Sequence, residues 1–359
     1  MRFENLDTTG GLSNNIVWAI LQDRRGFIWL GTDNGLNRYD GFTFKVYRRS
    51  DDHPGSLSAN RITSLYEDRE GTLWVGTSAG LDRFDPETET FQHYLAGELS
   101  VGPVLAMLED RSGRFWVGTE NRGLALFNRS TGEYTFFRHN PAELSSISND
   151  SVTSLLETSD GQIWVGTRRG LNLFDPGSAS FYRYYHNPEN PLSLSSNRIL
   201  QIVEDSERIL WVATEDGGLN RFDRSTGAFT RLPVADNNSF AISSNTVQAL
   251  LADQRGDVWI ATRRGLDHYS SATDVFTHYR HDPNDERSLA SNEVISLYED
   301  RSGVLWVGTY GAGVSKYNRY ANKFTIYEPS GESPYGLSEA IVHAVYDDSA
   351  GTLWVGTMD

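Results

Sequence analysis

The sequence predicts an all-β propeller built from four-stranded antiparallel blades, and three observations predict it. A tryptophan among apolar, strand-forming residues, followed closely by Gly-Thr or Ala-Thr, returns eight times, at Trp29, Trp74, Trp116, Trp164, Trp211, Trp259, Trp306 and Trp354. The intervals are 45, 42, 48, 47, 48, 47 and 48 residues, the period of a propeller or solenoid. Within each interval four short β-type segments alternate with turn signals and no helical periodicity intervenes, and a unit of that size buries a core only against its neighbours.

Residues 57–94 show the unit element by element. Ile62 to Glu67 alternates apolar and polar residues, which reads as a first strand. Asp68-Arg69-Glu70-Gly71 supplies hairpin chemistry, an Asp that bonds its own turn and a Gly free to take positive φ. Thr72 to Thr77, centred on Trp74, is the antiparallel second strand. Gly80 to Asp85 alternates again as the third, and Asp85-Pro86-Glu87-Thr88 turns the chain into a fourth strand around Phe91 and Tyr94. The Asp-x-x-Gly turn recurs as Asp23/Gly26, Asp110/Gly113, Asp253/Gly256, Asp300/Gly303 and Asp348/Gly351. Blade 4 substitutes Thr158/Gly161 and blade 5 Asp205/Arg208; a differently shaped turn is expected at Arg208, since positive φ is costly for a bulky residue. The glycines that open the third strands (Gly35, Gly80, Gly123, Gly170, Gly218, Gly265 and Gly313) read as backbone requirements.

Composition narrows the function classes. The 359 residues are 38% hydrophobic and 12% aromatic, enough for a core. No apolar run approaches membrane-spanning length, and MRFENLDTTGG lacks the basic and apolar segments of a signal peptide. The absence of cysteine excludes disulfides, thiolate metal sites and Cys nucleophiles. A net charge of −16 opposes a phosphate backbone, so nucleic acid is not an expected partner.

The unit L-S-x-N-x-[IV], then D-x-x-G-x-[IL]-W-[VIL]-G-T-x-x-G-L-x-x-[YF]-[DN], resembles the two-component regulator propeller repeat. Its clearest copy is Gly11-Leu12-Ser13-Asn14-Asn15, Ile28-Trp29-Leu30-Gly31-Thr32 and Gly35-Leu36-Asn37-Arg38-Tyr39-Asp40-Gly41, and the resemblance covers essentially the whole chain. WD-repeat propellers fit less well, because the Trp is not followed by Asp and no Gly-His pair opens each unit. The resemblance implies the periplasmic sensor region of a bacterial membrane protein. In such proteins propellers, often in tandem, precede an immunoglobulin-like domain, a transmembrane helix and a cytoplasmic histidine kinase or diguanylate cyclase. It further implies a non-catalytic segment that binds a polysaccharide-derived ligand and relays to C-terminal domains of the same polypeptide. A homodimer is a further candidate arrangement; no cofactor and no membrane contact by this segment are expected.

Ring closure has two solutions in the pattern. MRFENL resembles a displaced fourth strand, since Phe3 precedes Gly11-Leu12-Ser13 much as Phe44 precedes Leu57-Ser58. Either it completes blade 7, giving a seven-bladed propeller over residues 1–330 with residues 331–359 starting an eighth, truncated repeat or a second propeller, or it closes an eight-bladed ring with residues 341–357. The family resemblance favours seven.

The repeating residues read as packing and turn chemistry, so a ligand site is sought where the frame is constant and the residues vary. The loops between second and third strands carry Asp33-Asn34, Ser78-Ala79, Glu120-Asn121-Arg122, Arg168-Arg169, Glu215-Asp216-Gly217, Arg263-Arg264 and Tyr310-Gly311-Ala312. From these, Asp33, Asn34, Glu120, Arg122, Arg168, Arg169, Glu215, Asp216, Arg263, Arg264 and Tyr310 are the candidate ligand-binding residues. Arg168-Arg169 and Arg263-Arg264 are basic pairs on an acidic chain, suited to a carboxylate or sulfate; the alternative is that they pair with Glu120, Glu215 or Asp216. Histidines in the blade-to-blade loops, among them His139, His186 and His281, are expected to bond locally, and no metal site is expected from their spacing. Neither Asp51-Asp52 nor Asp282-Pro283-Asn284-Asp285-Glu286 matches an EF-hand loop. Trp18 stands in a first strand where the alignment puts Ser64, Ala106 or Ser154 in other blades, and is a candidate for sugar stacking, an interface or the core. No carboxylate pair or Ser-His-Asp grouping breaks the repeat, so no catalytic residue is assigned. A propeller lyase or glycosidase using Arg168, Arg263, Tyr310 and a loop carboxylate is the enzymatic alternative, and a pure interaction scaffold the third.

Overall fold

The computed structural model describes residues 1–94, 101–236, 238–319, 337, 341–348 and 352–358. Hairpin turns and period-two strands assemble into seven four-stranded antiparallel sheets. Blade 1 consists of Val17–Gln22, Ile28–Thr32, Gly35–Tyr39 and Phe44–Tyr47. Blades 2 to 6 repeat the order from first strands Ile62–Glu67, Val104–Glu109, Val152–Glu157, Ile199–Glu204 and Val247–Ala252. The first strands of blades 1 to 7 contact one another in cyclic order, the last returning to the first, so they form the inner wall of a closed ring.

Closure follows the seven-bladed solution. Glu4–Leu6 pairs antiparallel with Val314–Asn318, with Glu4 opposite Lys316 and Leu6 opposite Val314, and supplies the outer strand of blade 7. Phe3 is buried and donates its N–H to Arg287 O at 2.7 Å, the role that Phe91, Phe181 and Phe229 play toward Gly55, Ser145 and Leu192 in blades 2, 4 and 5. Each of these blade-to-blade loops therefore occupies part of an outer edge that would otherwise offer unpaired groups. Contacts divide the chain at Tyr317/Asn318 into Met1–Tyr317 and Asn318–Asp359. In the second unit, Val342–Asp347 and Leu353–Thr357 form a two-stranded antiparallel hairpin. Residues 320–336, around the boundary expected near 330, and Gly351 of the Asp348 turn lie outside the described residues.

The repeated tryptophan is packed between blades. Trp29 meets Phe84 of blade 2 at 5.1 Å between ring centroids, and Trp116 meets Phe174, Trp164 Phe222 and Trp211 Tyr269 in the same way at 5.1, 5.5 and 4.9 Å. Trp306 meets Tyr39 of blade 1 at 6.1 Å, across the junction that closes the ring. Aromatic edge-to-face pairs of this kind add roughly 0.5–1.5 kcal/mol beyond the area they bury. The Gly or Ala after each tryptophan marks the closest approach between blades: a Cβ on Gly31 would stand 2.6 Å from Ile62 Cγ2.

The first-to-second strand turns explain the fixed interval between Asp and Trp. Asp23 Oδ1 accepts the N–H of Phe27 at 3.0 Å, while Oδ2 accepts Trp29 Nε1–H at 2.9 Å. The same indole bond joins Asp68, Asp110, Asp205, Asp253 and Asp300 to Trp74, Trp116, Trp211, Trp259 and Trp306. In blade 4, Thr158 replaces the carboxylate and the buried Trp164 Nε1 has no partner. The expected change of turn at Arg208 does not occur. Arg208 takes φ 65 and keeps the bonds of the standard turn, Arg208 N–H to Asp205 O at 3.0 Å and Asp205 N–H to Ile209 O at 3.1 Å. Asp205 bonds N–H groups of Glu207 and Ile209 and the Trp211 indole, and this network holds the left-handed residue in place.

Candidate functional site

The variable loops stand on a polar frame that the repeat specifies. Thr32 Oγ1 donates to Gly35 O at 2.9 Å and meets Ser13 Oγ at 2.8 Å. Gly35 N–H reaches across to Asn60 O of the loop entering blade 2 at 2.8 Å, so the Leu-Ser-x-Asn segment of one blade locks the loop of the preceding one. Blades 3, 5 and 7 insert one residue, their Thr119, Thr214 and Thr309 bonding Gly123, Gly218 and Gly313. The residue after the threonine donates its N–H to the segment just before its own first strand: Ser78 to Arg61, Glu120 to Pro103, Arg168 to Ser151, Glu215 to Arg198 and Tyr310 to Glu293. Because first strands line the ring, this bond places the varying side chains around the mouth of its central channel.

Charge pairs connect those side chains. Arg168 of blade 4 reaches back to Glu120 of blade 3 at 3.6 Å, and Arg263 of blade 6 reaches forward to Glu293 of blade 7 at 3.6 Å. Arg264 bonds Asp236 at 2.8 Å, Glu215 bonds Arg198 at 2.8 Å, and Asp33 lies 3.3 Å from Arg61. The two arginine pairs thus have separate partners: Arg168 takes the partner Glu120, whereas Glu215 belongs to Arg198. The side chains are about half exposed. Such pairs are worth roughly 0–1 kcal/mol each, so a ligand anion can exchange for the resident carboxylate at little cost. Arg122 and Arg169 contribute backbone N–H groups to Thr119 and Thr167. Asn34 likewise bonds Thr32, and its carbonyl accepts Arg48 Nε–H; Asp216 has no hydrogen bond or ion pair among the described residues.

One sector joins aromatic and charged groups. Trp18 Nε1 donates to Asp33 Oδ1 at 2.8 Å, the Arg61 guanidinium lies over the Trp18 ring at 4.9 Å, and Tyr310 meets its edge at 6.0 Å. Tyr310 is 47% exposed. The alignment of Trp18 with Ser64, Ala106 and Ser154 is corrected by the register: Ala19 occupies that place, and Trp18 is the bulged residue, equivalent to Thr63, Leu105 and Thr153. A bulge re-aims one side chain without breaking the strand. Here it brings Trp18 to the channel mouth, a place that the equivalent bulge gives to Thr63, Leu105 and Thr153 in other blades.

Beneath the loops, a buried third-strand position tests the electrostatics of the frame. Asn37, Asn172 and Asn220 accept the Ser13, Ser148 and Ser195 N–H groups at 2.9 Å and donate to the serine hydroxyls. Asp82 takes this place in blade 2, where Oδ2 accepts Ser58 N–H at 2.8 Å and Oδ1 has no partner. Burial pushes its carboxyl up to about 6. Asp267 takes it in blade 6, where His278 Nδ1 bonds Oδ1 at 2.7 Å. This bond raises His278 above its ordinary value. His139, His186 and His281 bond the carbonyls of Ile147, Leu194 and Leu289, as expected of local partners.

Among the described residues, one group has the composition of a metal site, Asp253, Asp257 and His268 on the turn side of blade 6. His268 Nε2 meets Asp257 Oδ2 at 3.1 Å and Asp253 Oδ2 holds the Trp259 indole; the group was missed from sequence because the fold brings the third-strand His268 onto the Asp253–Asp257 turn.

The sequence profile of the two component regulator propeller matches residues 11–34, 56–79, 98–121, 146–169, 193–216, 241–264, 288–311 and 336–359. A segment of 48 residues is 46% identical to histidine kinase P4 of Formosa agariphila, covering 13% of this chain and 4% of that protein. The extracellular domain of the hybrid two component system BT3049 from B. thetaiotaomicron superposes with a TM-score of 0.77 at 25% identity, over 99% of this chain and 47% of that one. The chain thus spans about half the length of that extracellular domain. Virginiamycin B lyase from Staphylococcus aureus shares the fold alone, with a TM-score of 0.64 at 13% identity over 88% of this chain and 98% of the enzyme. With the repeat profile matched in every blade, and the register and ring closure that the repeat demands, the chain belongs to the two-component regulator propeller family.

Proposed function

We propose that this chain is the non-catalytic, ligand-sensing propeller of a bacterial two-component signalling protein, that it works outside the cytoplasm, and that its loop face takes a polysaccharide-derived ligand. The observation that carries this reading is the combination of a constant hydrogen-bonded frame with varying, half-exposed charged and aromatic side chains around the channel mouth. Exchangeable charge pairs suit the acidic groups of a glycan, and Trp18 and Tyr310 suit the apolar face of a sugar ring. The similarity to an extracellular domain of a hybrid two component system supports the placement and the signalling role. Relay runs to C-terminal domains of the same polypeptide or to a second copy. It requires that ligand favour one of two arrangements of these parts. Val342–Asp347 and Leu353–Thr357 repeat the inner half of a blade, with the Trp354 indole on Asp348 as in the ring, and serve as the start of a further repeat.

The test is thermal unfolding against neutral and acidic oligosaccharides, since a ligand bound by the folded state alone raises stability by RT ln(1 + [L]/Kd). The expected result is a saturable shift with one glycan class, reduced in Arg168→Ala or Arg263→Ala, with the glycan recovered intact. Cleavage of the glycan would establish the enzymatic alternative, and no shift with any glycan would favour the scaffold.

A further inference from the structure

On the turn side of the ring, opposite the loop face, the third strand of a blade faces the third-to-fourth strand turn of the next, and at two junctions a cation meets an acid there; Lys316 of blade 7, in the same place, pairs instead with Glu4 of its own blade. Arg38 of blade 1 bonds Glu89 of blade 2 at 3.2 Å, and Arg221 of blade 5 lies 3.7 Å from Asp274 of blade 6. Leu126 and Leu173 hold the place of Arg38 in blades 3 and 4, each opposite the tryptophan of its own blade. The turns that face them carry Ala179 and Gly227 at the position of Glu89, so no cation there lacks an acid.

The junction of blades 2 and 3 breaks the match. Arg83 of blade 2 is exposed and has no hydrogen bond or ion pair among the described residues, and the turn of blade 3 places Gly132 where Glu89 and Asp274 stand. All three turn residues share the left-handed backbone, with φ 76 at Gly132, 53 at Glu89 and 55 at Asp274. The side chain missing at Gly132 leaves room beside an open groove of about 1110 Å³ lined by Arg83, Phe127 and Tyr134 among others. The other arginines of this cavity are committed: Arg129 bonds Asp68 and Glu109 at 2.8 and 2.7 Å, and Arg114 bonds Asp110 at 2.6 Å.

We propose that this groove is a second ligand site, in which the carboxylate of a small monocarboxylate pairs with Arg83 as Glu89 pairs with Arg38, while the body of the ligand lies against Tyr134 and Phe127. One guanidinium without a hydrogen bond or ion pair among the described residues, near Asp85 of its own strand and with Glu70 and Glu133 also lining the groove, selects a single anionic group over a polyanion. The site is separate from the loop face and does not depend on it.

The test is calorimetric titration of the chain with benzoate and glucuronate, against benzyl alcohol and glucose as neutral counterparts. Saturable binding of the carboxylates alone is expected, weakened about tenfold or more in Arg83→Ala. Gly132→Glu should abolish it by rebuilding the resident acid; a Cβ at Gly132 has only the Tyr94 ring nearby, at 3.8 Å. If Gly132→Glu does not melt cooperatively, Arg83→Gln replaces it. Failure of both carboxylates to bind, equal binding of the neutral compounds, or unchanged affinity in the Arg83 variants would overturn the proposal.

Discussion

Replacing Asp82 by Asn should stabilise the protein at neutral pH, an unusual outcome for a change at a fully buried polar residue. Asp82 is 0% exposed, and its Oδ1 has no partner. Asn37, Asn172 and Asn220 fill the same slot by donating from Nδ2 to the serine hydroxyl and to the second-strand carbonyls of Leu30, Val165 and Val212. An amide at residue 82 can make those bonds, whereas a carboxylate has no proton to donate. Burial raises the Asp82 carboxyl from 3.8 to about 6, and at 1.36 kcal/mol per pH unit this corresponds to about 3 kcal/mol. The folded state holds this proton more tightly than the unfolded chain. Stability contributed by the site is therefore present below about pH 4, falls as pH rises from about 4 to 6, and stays low above. Denaturant unfolding of both proteins from pH 4 to 8 reads this contribution together with that of His93, which faces Asp82 across the strand pair. The expected difference favours Asp82→Asn, grows between pH 4 and 6 and reaches about 1–3 kcal/mol at pH 7.5. A variant less stable than the parent at pH 7.5, or a difference independent of pH, would refute the reasoning.

Other substitutions follow from the same frame. Asp267→Asn should destabilise, since His278 holds that carboxylate; His278 is raised by the bond, so the loss is full below pH 6.5 and fades as pH rises through the folded-state value, which pH-dependent melting can follow. Thr158→Asp should restore an acceptor for the Trp164 indole and raise stability by about 1–2 kcal/mol, read by denaturant midpoint. Arg208→Gly removes a side chain from the left-handed region and should gain up to about 1 kcal/mol, after the entropy of glycine offsets part of the relief.

Much of the fold was legible because its signals are local and repeated. The tryptophan period marks the blades, Asp-x-x-Gly marks the hairpins, and Phe3 reveals the displaced outer strand that closes the ring. The misses arise where tertiary contacts override a local rule. Arg208 adopts the glycine conformation because Asp205 and Trp211 fix the turn around it. The constant six-residue interval from Asp to Trp was visible, yet only the fold shows it as a hydrogen bond. Trp18 aligns with Thr63 by the same 45-residue interval that joins Trp29 to Trp74, but only the register shows this place as a bulge that re-aims the side chain. At the candidate site, the sequence identified which loops vary and offered Glu120, the partner Arg168 takes, but not Glu293 or Asp236, which pair with Arg263 and Arg264 from other loops. The open groove at Gly132 is a missing side chain, and a turn glycine read alone carries no sign of what its counterparts do elsewhere in the ring.

The most direct test of the sensing reading is hydrogen–deuterium exchange of the chain with and without the glycan that shifts its melting temperature. The expected result is protection concentrated in the loops containing Asp33, Glu120, Arg168, Arg263 and Tyr310, with the first-to-second strand turns unchanged. Protection confined to those turns, or no protected loop at saturating glycan, would contradict the assignment of the loop face as the sensing surface.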